Sequence, residues 1–184
     1  MPSTDLENEV VAVYQSCAAD LLRFASSLAR NDEAGRDAVQ EVFLRYFVER
    51  RYGRVIENPR AWLYQSARNY LLNRLKAAAA QYETSSDSLD SVPARQPTPE
   101  QQLGSSELAR EVAAALTPRE MDCVRLRAEG FGYAEIAGIL NVRPGTVGAL
   151  LARAAKKLDR PDAGGGPTPF NLADALRSLV PERV

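Results

Sequence analysis

The chain has 184 residues, 45% of them hydrophobic and 26% charged, with a net charge of −1 and no histidine. That length supports one or two domains, each large enough for its own core. The missing histidine excludes His-based general acid–base catalysis. Cys17 and Cys123 are too few and too far apart for a typical zinc site, so neither cofactor nor metal is expected. Both cysteines fall inside helical patterns, where a buried thiol is the ordinary reading; two cysteines without a signal peptide point to a reducing, cytoplasmic setting. No apolar run approaches membrane-spanning length, so no membrane partner is expected.

The near-zero net charge conceals alternating blocks. Residues 1–35 and 82–111 are acidic, each with two Arg against six Asp or Glu. Residues 36–81 carry nine Arg or Lys against four acids, and residues 112–160 carry eight against five. Two basic blocks between acidic ones suit two nucleic-acid-facing modules in a neutral chain. Excesses this modest predict weak DNA binding by the chain alone, because phosphate neutralisation sets the affinity scale.

In chain order, Val10, Val13, Tyr14, Leu21, Leu22, Ala25 and Leu28 have helical spacing, broken at Asn31-Asp32. A second amphipathic helix is predicted from about Glu33 to Val48. Ala38, Val39, Val42, Phe43, Tyr46 and Phe47 form its apolar side, with Asp37, Gln40, Glu41 and Arg45 largely off it. Arg50 to Asn58 reads as a polar, basic loop. Pro59 opens a third long helix in which Trp62, Leu63, Ala67, Leu71, Leu72 and Leu75 face the core. Its basic, amide-rich remainder is Tyr64, Gln65, Arg68, Asn69, Asn73, Arg74 and Lys76. From Gln81 to about Leu103, Ser, Asp, Pro and Gln dominate, which reads as a flexible linker.

The second domain runs from about Ser105 to Arg160, and its most informative stretch is Leu116 to Leu158. Thr117, Pro118 and Glu120 have the spacing of a capping box with proline at the first helical position. Met121, Val124 and Leu126 follow, and Gly130 ends that helix. A short helix with Ile136, Ala137 and Leu140 on one face comes next, then a turn at Asn141–Gly145. Thr146 starts a last helix carrying Val147, Leu150, Leu151, Ala154 and Leu158. Two short helices joined by a tight turn, the second ending in Arg153, Lys156 and Lys157, have the geometry that lays a helix in the major groove. The other reading is a three-helix core motif that binds nothing. Gly148, Ala149 and Ala152 stand where base-reading side chains are usual, so this helix alone predicts weak sequence readout. Beyond Gly164-Gly165-Gly166-Pro167, Phe170 to Val180 is predicted as a short amphipathic helix. It either packs on the second domain, through Phe170, Leu172, Ala173, Leu176 and Leu179, or is an appendage.

The expected fold is therefore all-α: two small helical domains, residues 1–80 and 105–160, joined by a flexible linker at 81–104. The second contains a helix-turn-helix, and residues 161–184 form a Gly/Pro-rich hinge and a short helix. Three stretches, DAVQEVFLRYF at Asp37–Phe47, NPRAWLYQSARNYLLNRLK at Asn58–Lys76 and the helix-turn-helix, resemble the extracytoplasmic-function sigma factors of bacterial RNA polymerase. The resemblance covers about Val10–Ala80 and Ser105–Leu158; the tail from Pro161 exceeds the minimal architecture of that family.

The resemblance implies a transcription initiation factor that binds core RNA polymerase and directs it to −35/−10 promoters, without enzymatic activity or a small-molecule substrate. It implies that Asp37, Gln40, Glu41 and Arg45 dock on the polymerase clamp helices, where the residues alone also allow a solvated helix face. It assigns −10 recognition and strand capture to Arg51, Tyr52, Arg54, Tyr64, Arg68, Asn69, Asn73, Arg74 and Lys76, types suited to holding unpaired bases over a cationic track. Trp62 is either part of that surface or a core anchor. It assigns −35 contacts to Arg143, Thr146, Arg153, Lys156 and Lys157, although the last three also suit a helix end favoured by its dipole. An anti-sigma factor is a further partner the family suggests. The alternative is a stand-alone helix-turn-helix regulator, against which the basic first domain argues.

Overall fold

The computed structural model describes residues 3–85 and 114–158, which contain helices and turns and no strand. The helices are α1 (Ser3–Ala29), α2 (Asp32–Arg51), α3 (Pro59–Ser85), α4 (Pro118–Ala128), α5 (Tyr133–Leu140) and α6 (Pro144–Leu158). The chain divides into two compact units, Met1–Gln96 and Pro97–Val184. The expectations for the rest of the linker and for the tail helix at Phe170–Val180 lie outside the described residues. None of the described helices is long and apolar enough to cross a membrane.

In the first unit α1 and α2 form an antiparallel hairpin. Glu9 meets Arg50, the Tyr14 and Phe43 rings stand 4.9 Å apart, and Ser26 meets Gly35 near the turn. At that turn the Asn31 side chain caps α2 by accepting from the Ala34 amide at 3.1 Å. Gly35 permits the close approach: a Cβ there would lie 2.8 Å from both Cα and N of Ser26. α3 begins with Pro59 after Asn58, whose side chain accepts from the Ala61 amide at 3.0 Å. It returns along α2, pairing Trp62 with Tyr46 and Arg74 with Asp37. The core is Cys17, Leu21, Phe24 and Ala25 of α1, Ala38, Val39, Val42 and Tyr46 of α2, and Leu63, Tyr64, Ala67 and Leu71 of α3.

Two expectations fail here. α3 continues to Ser85, into the segment expected to be linker, because the alanine run 77–80 offers nothing to stop it. Leu75 is 51% exposed rather than buried. α3 already reaches the first turns of α2 at Arg74–Asp37, so among the described residues Leu75 lies near the end of the helix packing.

The second unit is built on α4. The Thr117 hydroxyl accepts from the Glu120 amide at 3.3 Å while Glu120 accepts from the Thr117 amide at 2.9 Å, closing the expected capping box. Gly130, at φ +86°, turns the chain out of α4. Glu135 accepts from the Gly132 amide at 2.8 Å and so caps α5 from within. Asn141, left-handed at φ 53°, ends α5. The turn is tighter than expected: α6 starts at Pro144, not Thr146, since proline's fixed φ already fits a first helical position. Leu116, Val124, Leu126, Phe131, Ile136, Ile139, Val147, Leu150 and Leu151 fill the core, with Ile139 taking the buried place expected of Leu140.

Candidate protein-docking and nucleic-acid surfaces

α2 packs on α1 and α3 with one side and leaves the other to solvent. Gln40, Leu44 and Val48 recur at four-residue intervals along that outer side, flanked by Asp37, Glu41 and Arg45. Leu44 is 56% and Val48 47% exposed. Arg45 donates to Glu41 at 2.7 Å, and Arg74 of α3 donates to Asp37 at 3.3 Å. Tyr70 lies between these pairs, with the Arg45 and Arg74 guanidiniums 5.6 Å and 5.7 Å from its ring centroid. The sequence pattern picked out the polar members and missed Leu44 and Val48. Their signal was there: two large apolar side chains at polar positions of an otherwise amphipathic helix.

The −10 set does not form one surface. Arg51, Tyr52 and Arg54 are exposed at the end of α2 and in the 52–58 loop. Tyr52 is 86% exposed, and Val55, which sequence reasoning passed over, is 77% exposed. Asn69, Asn73 and Lys76 are exposed on α3 at spacings that share a face, with Arg68 half-buried. Arg74 instead turns toward α2.

Tyr64 must be withdrawn as a base-stacking residue. It is fully buried, its ring 4.9 Å from Phe24, and the Arg60 guanidinium sits 5.4 Å from the ring centroid. The reason is angular: it stands beside Leu63 on the inward side of α3, and Arg60, one turn earlier on the same face and half-buried, lies over its ring. Trp62 is half-buried with its ring 5.9 Å from Tyr46, the packing of a core anchor.

In the second unit Arg143, Arg153 and Lys156 are exposed on or beside α6, and Thr146 is half-buried. Lys157 differs. Its ammonium is 2.6 Å from Glu120, whose side chain is only 3% exposed, so its charge is spent inside the domain. The lysine ion pair, helped by the Thr117 amide and opposed by burial, holds the Glu120 carboxyl down at about 2. Lys157 is thus a tie between α6 and α4 rather than a free phosphate contact. Ala149 and Ala152 are exposed, and Tyr133, half exposed, lies beside Gly148 with Arg127 5.9 Å from its ring centroid. Tyr133 therefore shares the α6 surface, a contribution the sequence reading missed. Among the described residues no group of three or more His, Cys, Asp or Glu is placed to hold a metal ion.

This arrangement, a three-helix unit with a basic loop followed by a separate helix-turn-helix unit, defines a class. Residues 13–81 match the family "Sigma-70 region 2" and residues 106–158 match "Sigma-70, region 4", together more than half of the chain. The chain belongs to the sigma-70 family, as a factor of the extracytoplasmic-function (ECF) type. It is 31% identical over 168 residues to the ECF RNA polymerase sigma factor SigE of Mycolicibacterium smegmatis, covering 86% of this chain and 61% of that protein. It is 26% identical over 181 residues to the ECF RNA polymerase sigma factor EcfG of Rhodopseudomonas palustris, covering 98% of each. In fold it is similar to the sigma factor RpoE of Bartonella quintana, solved in complex with the anti-sigma factor NepR. That match has a TM-score of 0.61 at 20% identity, over 94% of this chain and 97% of that one.

Proposed function

We propose that this chain binds core RNA polymerase through the outer face of α2 and directs it to −35/−10 promoters, helping to open the DNA. Asp37, Gln40, Glu41 and Arg45 dock on a basic partner helix. The 51–55 segment and the Asn69–Asn73–Lys76 stripe hold the −10 strand, and Arg143, Thr146, Arg153 and Lys156 meet the −35 duplex. The protein performs no covalent chemistry and works in the cytoplasm. The observation that carries this reading is the pair Leu44 and Val48, both about half exposed in the middle of an acidic and amide-bearing face. Apolar side chains framed by polar ones suit a specific protein interface, where the apolar centre supplies affinity and the charged rim supplies register. We extend to this chain the kind of partner named for the Bartonella quintana factor: an anti-sigma protein that withholds it from polymerase.

Run-off transcription by bacterial core polymerase on the promoter upstream of its own gene tests the proposal. A transcript that needs this protein, and disappears with Gln40→Ala plus Glu41→Ala, is the expected result. No transcript, together with tight binding of the free protein to duplex DNA, favours a stand-alone regulator instead.

A further inference from the structure

Arg50 was not among the expected site residues, yet all three nitrogens of its guanidinium are engaged. Nε and Nη2 donate to the two carboxylate oxygens of Glu9, each at 2.7 Å, a bidentate fork between α2 and α1. The remaining nitrogen, Nη1, donates to the backbone carbonyl of Arg54 at 2.7 Å. Tyr46 donates its hydroxyl to the same Glu9 oxygen at 2.8 Å. Both partners are part-buried, with side-chain exposures of 23% for Arg50 and 34% for Glu9.

The loop is closed back onto the end of α2 by further bonds. The Gly53 amide donates to the Arg50 carbonyl and the Arg54 amide to the Glu49 carbonyl, both at 3.0 Å. The Arg54 side chain reaches Glu49 at 3.1 Å. Gly53, at φ +83°, supplies the left-handed turn this closure needs. Tyr52 and Val55 are left standing in solvent. An Arg–Glu pair that only joined α1 to α2 would have no use for the bond to the Arg54 carbonyl. That bond ties the loop to the helix hairpin.

We propose that Glu9 and Arg50 are positioning residues: they fix the shape of the 52–55 turn, and so govern capture of an unpaired promoter base by Tyr52 and its neighbours, without touching DNA. The inference rests on the reading of this loop as the strand-capture element. Arginine is required because a lysine ammonium cannot hold a two-oxygen fork and a carbonyl at once. The network is a strut rather than a switch. The Arg50 hydrogen bond keeps the Glu9 carboxyl below its usual range, while burial and the Glu9 partner push the Tyr46 hydroxyl up to about 12. Both groups therefore keep one charge state across physiological pH. A loop that is already shaped spares the cost of ordering its side chains on binding, and losing that order weakens affinity about three- to tenfold.

The test uses the full chain bound to core polymerase and a labelled single-stranded oligonucleotide carrying the non-template −10 strand of a promoter the wild-type enzyme transcribes. Glu9→Gln, Arg50→Lys and Tyr52→Ala are compared, with affinity for core polymerase measured in parallel. All three are expected to weaken strand binding about three- to tenfold and leave core affinity unchanged. Glu9→Gln separates shape from charge. It removes an anion, so electrostatics alone would tighten DNA binding, whereas loss of the strut loosens it. Weakening by Tyr52→Ala with none by Glu9→Gln or Arg50→Lys overturns the strut and leaves the loop reading intact. No effect of Tyr52→Ala overturns the loop reading, and the inference with it. A parallel loss of core affinity in Glu9→Gln and Arg50→Lys also overturns the inference, because the effect is then on the fold of the unit.

Discussion

Replacing Glu120 with Gln tests whether the second unit is held by charge at the joint between α4 and α6. Glu120 Oε2 accepts from Lys157 at 2.6 Å and from the Thr117 amide at 2.9 Å. Glutamine keeps an oxygen for the Thr117 amide, so the cap survives and only the ion pair is lost. Breaking a fully buried pair costs about 3–5 kcal/mol. Here Lys157 is 38% exposed and regains water, so the loss should be smaller, about 1–2 kcal/mol. Folding draws the carboxyl from 4.5 down to about 2. Its contribution is therefore complete above the higher value and disappears as pH falls through the lower one. Urea unfolding followed by helical circular dichroism should show Glu120→Gln less stable than wild type at about pH 7, with the two curves converging near about pH 2. A gap of unchanged size at the acid end would refute the reasoning, because it would make the loss one of packing. The same geometry bears on DNA. Lys157→Met should lower stability yet leave unchanged the salt dependence of binding to −35 duplex. Arg153→Ala or Lys156→Ala should each reduce the log–log slope by about 0.9, the share of one phosphate contact. An equal reduction by Lys157→Met would show that Lys157 does reach the backbone.

Two further outcomes follow from the first unit. Gly35→Ala should lower its stability by about 1 kcal/mol in thermal melts. The gain in helix propensity is at most about 1 kcal/mol, while forcing α1 and α2 apart at Ser26 costs about 1–3 kcal/mol. A more stable variant would show that the helices part freely at that point. Tyr64→Ala should cost about 3–5 kcal/mol, as for any large buried aromatic, and lose function only by unfolding. A stably folded Tyr64→Ala protein with weak strand binding would return Tyr64 to the DNA surface.

What the sequence determined by itself is what local chemistry decides. The capping box at Thr117–Glu120, the stop at Gly130, the Asn31 break and the proline starts of α3 and α4 each depend on residues within a few positions of one another. Apolar spacing alone told that the chain makes helices, and the order of its three motifs told which kind of protein carries them. The tertiary structure decided the partners. Glu120 and Lys157 are 37 residues apart, and Glu9 and Arg50 are 41 apart. Nothing in either segment distinguishes a lysine that will be neutralised from one left free to meet phosphate. Tyr64 and Arg60 share a polar-looking helix, yet the rotation of α3 against α1 buries one and leaves the other over its ring. Leu44 and Val48 already stand at polar positions of α2 in the sequence pattern, and the packing of α1 and α3 on its opposite side is what leaves them outside. Helix formation is written in neighbours along the chain. Which face is spent inside, and which charges remain for a partner, depends on how helices far apart in sequence are rotated and set against each other, and only the packed chain fixes that.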